Sequence, residues 1–187
     1  MASVFTSRTL LLPFFILFPA LFSATDGVFS EQLPVTITRR QMEKTTRLHF
    51  YFHDIVEGKS PTALQIIRPH NKSINGFGQT FVADDPLTEG PELTSKLVGR
   101  AQGLYSMASQ HEPSLLMMMN FAFLEGIYNG SVLSILARNT IFNIREMPVV
   151  GGTGVFRFAR GYALAKTVKM DRSGNAVVEY NVTVVHF

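Results

Sequence analysis

Asp54 is the residue whose setting in the sequence most clearly indicates chemistry. It lies in residues 48–56 (LHFYFHDIV), where strand alternation puts it on the same face as Leu48, Phe50 and Phe52. If that apolar face lines a core or cavity, loss of hydration raises the pKa of the carboxyl group and favours its proton-donating form. A simpler interpretation is that Asp54 ends the strand and caps the following turn.

Two other patterns resemble chemical motifs, and both have a structural explanation. The run 151–154 (GGTG) precedes an alternating, strand-like segment, so a glycine-rich turn or bulge is favoured over a phosphate loop, which would lead into a helix. Of the five histidines, His49 and His53 are four residues apart on a strand and the others are scattered. We therefore expect no metal site and no bound cofactor. No catalytic triad, glycosidase carboxylate pair or nucleotide motif can be assembled.

The N-terminus has the pattern of a secretory signal peptide. Arg8 precedes an apolar run over 10–22 that is too short to span a membrane comfortably, and small residues follow it. We predict a signal peptide over 1–24, a flexible arm over 25–46 and one domain over 47–187. Because the chain has no cysteine, stability must come from packing, sheet closure or oligomerisation.

The predicted compartment is extracellular. Three Asn-X-Ser/Thr triplets, at Asn71, Asn129 and Asn181, fit passage through a glycosylating secretory route. The formal net charge of +3 is too small to indicate a nucleic-acid partner, and no later segment indicates a membrane anchor.

The rest of the chain consists of strand patterns separated by turns, with no helical period. We predict strands at 48–56, 62–68, 77–84, 97–107, 115–125, 132–138, 155–168 and 176–187, with a hairpin turn at 171–175 and a long proline-containing turn at 84–92. Eight or nine strands predict an antiparallel barrel or sandwich, and closure of the edges favours the barrel. Strand 115–125 is apolar on both faces, which predicts a subunit contact.

Several stretches in the same order resemble the plant dirigent proteins. They are LHFYFHDIVEG (48–58), FVADDPLTEGPE (81–92), VGRAQGLY (98–105), REMPVVGGTGVFRFARGYALAKT (145–167) and VVEYNV (177–182). The resemblance implies an all-β fold, an eight-stranded antiparallel β-barrel. It also implies a glycosylated homo-oligomer, with a trimer as the expected form, exported to the apoplast.

The resemblance also implies an activity on small phenolic substrates. Dirigent proteins impart stereoselectivity on bimolecular coupling of phenylpropanoid radicals, as in lignan formation from coniferyl alcohol, while a separate laccase or peroxidase supplies the oxidation. Two alternatives stay open: a pterocarpan-synthase-like dehydrating ring closure of an isoflavanol through a quinone methide, and a passive phenolic-binding barrel.

By the resemblance, the working acid falls on Asp54, which would protonate a quinone-methide oxygen or donate a hydrogen bond to it. Arg145 would stabilise phenolate charge. Tyr105, Phe50 and Phe52 would line the pocket.

This sequence departs from the family at Arg138. Pinoresinol-forming members carry a second aspartate seven residues before the arginine, and counting back from Arg145 gives Arg138, which we also take as a candidate substrate contact. The segment before REMP is one residue shorter than in related members, so the loop over 140–144 differs.

Overall fold

A computed structural model describes residues 43–69 and 75–187, which contain nine β-strands. The strands are β1 (Lys44–Asp54), β2 (Ala63–Ile67), β3 (Thr80–Thr88), β4 (Leu97–Met107), β5 (Leu115–Phe123), β6 (Val132–Asn139), β7 (Ile144–Thr153), β8 (Arg160–Met170) and β9 (Ala176–His186). Two single 3-10 turns, Gly126–Tyr128 and Gly154–Phe156, follow β5 and β7. Within these residues no helix is long and apolar enough to cross a membrane.

The strands form a closed antiparallel barrel. Their order is β1-β9-β8-β7-β6-β5-β4-β3-β2, and β1 also pairs with β3, which closes the sheet. The short strand β2 pairs with the other half of β3, so the closed ring consists of β1 and β3 to β9. The predicted all-β fold, an eight-stranded antiparallel β-barrel, is confirmed.

Alternation along each strand separates a packed interior from the outer wall. On β9, Tyr180, Val182 and Val184 are buried, whereas Asn181 points outward and is exposed. In the middle of the barrel, Phe50 stacks on Tyr180 with ring centroids 5.6 Å apart and meets Phe121 edge-on at 5.2 Å. These rings fill the centre of the barrel.

Aromatic rings also close one end. Phe156 is fully buried and stacks on Tyr128 at 5.2 Å, with Phe123 at 5.7 Å and His186 at 5.3 Å around it. We call these four side chains the aromatic plug. The opposite end, where β1, β6 and β8 end and β5, β7 and β9 begin, is the open end.

Two predicted boundaries were wrong in the first half of the chain. β1 begins at Lys44, so residues 44–46, predicted as the end of the flexible arm, belong to the barrel. β3 continues through the predicted turn to Thr88 and includes Pro86. Its ladder tolerates Pro86 because β2 pairs only as far as Ala83 and β1 only from Leu87, so the missing N–H falls between them. The predicted signal peptide and the rest of the arm lie outside the described residues.

The predicted strand 155–168 is interrupted at its start. A 3-10 turn at Gly154–Phe156 precedes β8, which begins only at Arg160. Phe158 has a φ of 60° and is exposed, whereas Phe156 is buried in the plug, so the two do not share a strand face. Of the glycine run 151–154, the first three residues end β7 and Gly154 begins the 3-10 turn. The register of β7 against β6 shifts between the pairs Gly151–Ser134 and Val149–Ile135, which is a bulge next to this run.

Among the described residues, nothing fully covers the outer face of β5. Leu116 and Met118 point outward and are more than one-third exposed, while the inward residues Met117 and Met119 are buried. Packing of the barrel therefore explains the apolar residues on the inward face of β5 but not those on its outward face.

Candidate functional site

The barrel retains a small cavity of about 60 Å³ between its aromatic centre and its open end. Side chains from seven strands line it, including those of Phe52, Asp54, Tyr105, Asn139, Arg145 and Thr167. Asp54 and Arg145, which are 91 positions apart in sequence numbering, therefore open into one cavity. Strand alternation explains the arrangement, because each of these residues occupies an inward position near the open end of its strand.

Asp54 is the acidic group of this cavity. It is the last residue of β1, and Tyr105 Oη donates a hydrogen bond to its Oδ1 at 3.0 Å. Burial raises the pKa of Asp54 to about 6, and the hydrogen bond from Tyr105 acts in the opposite direction. The group therefore exchanges its proton in mildly acidic to neutral solution, as a general acid should.

Tyr105 is held as a hydrogen-bond donor. Its ring is buried and stacks on Phe81 with centroids 5.0 Å apart. Burial, followed by the nearby Asp54 carboxylate, raises the pKa of Tyr105 above its ordinary value. The phenol stays protonated, so it can orient Asp54 without competing as an acid.

Arg145 is a buried cation that lacks a carboxylate partner among the described residues. Only 6% of it is exposed, its Nη1 donates to the Asn143 carbonyl oxygen at 3.2 Å, and its buried Nε has no partner. Burial lowers the pKa of Arg145 from its usual value, yet a guanidinium remains charged in proteins. A desolvated cation with an unused donor favours an anionic or strongly accepting oxygen in the cavity.

Two of the predicted pocket residues do not reach this cavity. Phe50 lies deeper, in the aromatic centre of the barrel. Arg138 points outward from β6, with 63% of its side chain exposed, and pairs with Glu112. Its neighbour Asn139 takes the inward position instead. Counting back seven residues from Arg145 therefore reaches an outward residue of β6, and the neighbouring inward position carries an amide.

Two larger clefts adjoin the cavity. One, of about 510 Å³, shares Asp54 with it and includes Leu93 and Lys169. The other, of about 750 Å³, shares Ile141 and includes exposed apolar side chains at its rim. Ligand pockets for small molecules usually span roughly 300–1,000 Å³. A small-molecule ligand of ordinary size would therefore place only part of itself in the inner cavity and the rest in a cleft.

Sequence reasoning missed two polar residues of the interior, Asn139 and Asp85. Asn139 accepts a hydrogen bond from the Ile141 N–H at 3.0 Å and so anchors the loop at the cavity rim. Asp85 is fully buried on β3. Strand alternation would have assigned Asp85 to the interior if β3 had been predicted to continue through Pro86.

The remaining predicted sites lie on the surface or outside the described residues. Asn129, in the turn after β5, and Asn181, on β9, are both exposed, whereas Asn71 falls in the segment that is not described. In residues 43–69 and 75–187, no cluster of three or more His, Asp or Glu side chains has the arrangement of a metal site.

Comparison with known proteins agrees with this architecture. The family of dirigent-like proteins matches residues 45–185. Pterocarpan synthase 1 of Glycyrrhiza echinata is 48% identical over 184 residues, which cover 96% of this chain and 95% of that protein. Dirigent protein 21 of Arabidopsis thaliana is 47% identical over 182 residues, covering 95% and 96%. The solved structure of the pterocarpan synthase dirigent protein GePTS1 is 51% identical, with a TM-score of 0.79 over 84% of this chain and 99% of that chain. The chain therefore belongs to the dirigent protein family.

Proposed function

We propose that this protein closes a ring on a flat phenolic by acid-assisted loss of water, with an isoflavanol as substrate and a pterocarpan as product. The observation that carries the proposal is that Asp54, Tyr105 and Arg145 meet in one small cavity. Asn139 also supports the proposal, because it leaves Asp54 as the acid that lines the cavity, and one acid is sufficient for the loss of one water. Relatives named pterocarpan synthases add support.

The chemistry follows from the position of each group. Asp54, in its neutral form, protonates the benzylic hydroxyl group, and the carbon–oxygen bond breaks to release water. A phenol oxygen conjugated with that carbon gives its proton to solvent water, and Arg145 stabilises the negative charge of the resulting phenolate. The phenolate supplies the electrons as the carbon–oxygen bond breaks, which gives a neutral quinone methide. The neighbouring phenol hydroxyl then attacks the methide carbon and its proton passes to the Asp54 carboxylate, while the conjugated oxygen regains a proton from solvent water. The net change is the loss of one water, and no oxidant is consumed.

Oxidant-free turnover tests this proposal. An isoflavanol is incubated with the protein alone, and the pterocarpan is quantified by chiral chromatography. We expect enantioselective product from the wild type and at least a hundredfold slower formation with Asp54→Asn, because positioned acids typically contribute 10²–10⁴-fold. Asp84→Asn is the matched control, since Asp84 is an exposed aspartate on β3. Equal rates for wild type and Asp54→Asn would refute the assigned role.

A second candidate is stereoselective coupling of phenoxy radicals supplied by a separate laccase or peroxidase. The two clefts that flank the cavity favour it, because each offers space for one phenolic ring near Asp54 or Ile141. The relative named Dirigent protein 21 also fits this candidate. With an oxidase and coniferyl alcohol, this function predicts a lignan with enantiomeric excess, whereas a racemic dimer at stoichiometric protein would exclude it.

The outer wall supports a proposed homo-oligomer, with a trimer as the expected form. One row of outward apolar residues runs in register across five neighbouring strands: Leu64, Val82, Leu104, Met118 and Leu136. Burial of such a continuous row stabilises an assembly. Light scattering should give the mass of several chains for wild type and of one chain for Met118→Lys. Val150→Lys, at an exposed site on β7, is the control, and a monomeric wild type would contradict the proposal.

We also propose that the protein is secreted and carries glycans. The exposure of Asn129 and Asn181 supports this, because a glycan needs a solvent-facing asparagine. Enzymatic deglycosylation of protein from a plant host should lower its mass, and Asn181→Gln should abolish part of that change. An unchanged mass would contradict the proposal.

A further inference from the structure

The adjacent residues Asp84 and Asp85 on β3 have opposite environments. Asp84 points outward, where Arg100 Nε donates to its Oδ1 at 2.5 Å. Asp85 points inward and is fully buried. Its Oδ1 accepts a hydrogen bond from Thr62 Oγ1, and its Oδ2 is buried without a partner. Burial of a carboxyl group with one unsatisfied oxygen lowers the stability of the fold, and packing of the barrel does not explain why it is there.

The register of the closing seam brings Asp85 opposite Asp54. β1 and β3 pair at Tyr51–Thr88 and Phe52–Leu87. Continuing this antiparallel register by two residues aligns Asp54 with Asp85, and both lie on the inward face. Directly opposite residues on one face of a sheet have Cβ atoms about 5 Å apart where the ladder is regular. The two aspartates therefore lie on the same face of the sheet just beyond the last pair of the seam, where the partner of β3 changes from β1 to β2.

Electrostatics in this region agree with a coupled pair. Burial, followed by the negative charge of Asp54, raises the pKa of Asp85 to about 8, with a smaller contribution in the same direction from Asp84. The Thr62 hydrogen bond and the Arg100 charge oppose this rise.

The other titratable groups that interact with the pair are Tyr105 on β4 and Tyr180 on β9, and burial keeps both phenols neutral. Two acids in such proximity lose their protons in separate steps that belong to the pair.

We propose that Asp54 and Asp85 form one carboxyl pair, in which the buried Asp85 holds a proton that it shares with Asp54. Asp85 does not line the cavity, so it is a positioning residue that acts through Asp54. Between the two proton-loss steps the pair keeps one proton, and Asp54 carries it part of the time. The pair thus extends the acid role of Asp54, on which this inference rests, to higher pH than a lone carboxyl would allow.

The pH dependence of turnover tests the role of Asp85. Asparagine matches the shape of a protonated aspartate but cannot supply a proton. In Asp85→Asn we expect the alkaline limb of the rate profile to move down by at least half a pH unit, while the rate at low pH stays within about threefold of wild type. An unchanged limb, or a uniform loss of rate at every pH, would overturn the proposal because either result indicates a purely structural role.

A measurement without substrate tests the pair separately from the proposed reaction. Carbon-13 NMR of labelled aspartate carboxyl groups follows each titration directly. In Asp54→Asn the titration of Asp85 should move to lower pH by at least half a unit, whereas the exposed-site control Asp84→Asn should shift it less. An unmoved Asp85 would refute the pair even if Asp85→Asn failed to fold. A shifted Asp85 without isoflavanol turnover would support the pair and refute the proposed function.

Discussion

Replacing Asp54 by asparagine should stabilise the protein at neutral pH. The folded protein holds the Asp54 proton more tightly than the unfolded chain does, because burial raises the pKa from 3.8 to about 6. Between these values the unfolded state has already released the proton while the folded state retains it. Stability of the wild type therefore falls as pH rises through this range, and the loss is complete above about pH 6.

The size of the effect follows from the shift. About two pKa units at ~1.4 kcal/mol per unit correspond to about 3 kcal/mol. Partial access of Asp54 to cavity water lowers the expected gain to about 2 kcal/mol. The substituted asparagine would still accept the hydrogen bond of Tyr105 through its amide oxygen, so the variant should lose little of the local structure.

Urea unfolding at several pH values between about 4 and 7.5 measures this gain. The quantity of interest is the difference in free energy of unfolding between Asp54→Asn and wild type at each pH, because the titrating groups that do not interact with Asp54 then cancel. The difference should be near zero at the acid end and increase by about 2 kcal/mol towards neutrality. A difference that stays constant with pH would refute the assignment of a buried, proton-holding Asp54.

Three further substitutions test other parts of the molecule. Tyr105→Phe removes a hydrogen bond that lowers the pKa of Asp54, so the Asp54 titration followed by NMR should move to higher pH. Arg145→Met should weaken binding of phenolic ligands by at least tenfold, measured by fluorescence titration above and below the ligand's own pKa, because the cavity loses its unpaired cation. Phe156→Ala should lower the free energy of unfolding by about 3–5 kcal/mol in urea, because it empties the centre of the aromatic plug.

Each of these predictions has a control or a contrary outcome. An Asp54 titration that moves to lower pH in Tyr105→Phe would mean that the phenol does not stabilise the carboxylate. Arg145→Lys is the control that retains the charge but lacks the fork of donors. Phenolic binding that survives in Arg145→Met would show that the cation is not used. Phe158→Ala is the control for the plug, because Phe158 is 76% exposed, and equal destabilisation by both substitutions would contradict the described packing.

The sequence was most informative where a regular alternation extends without interruption. Alternation assigned Asp54 to the apolar face of β1, and the family resemblance identified Tyr105 and Arg145, which the structure brings into the same cavity. Local patterns cannot show how far the interior is filled. Phe50 shares the face of Asp54, yet the rings of Tyr180 on the neighbouring strand β9 and of Phe121 on β5 pack against it in the centre of the barrel.

The wrong predictions arose where strand alternation is interrupted, or where a residue was located by counting positions along a loop. Pro86 led us to predict a turn, because the sequence does not show the gap between β1 and β2 that tolerates a proline in β3. The inward position of Asp85 was missed for the same reason. Arg138 was chosen by counting back from Arg145 across a shortened loop, and an offset of one residue exchanges the two faces of a strand. The aromatic plug was also missed, since its members come from β5, two separate turns and the end of β9.

The aromatic plug makes the barrel a blind-ended vessel. In the proposed reaction, reactant, released water and product would all enter and leave through the open end, because the plug closes the other end of the barrel that the structure describes. A product that leaves slowly would then block entry of the next reactant and act as a competitive inhibitor. The turnover rate would then depend on exchange at the open end as well as on the chemical step.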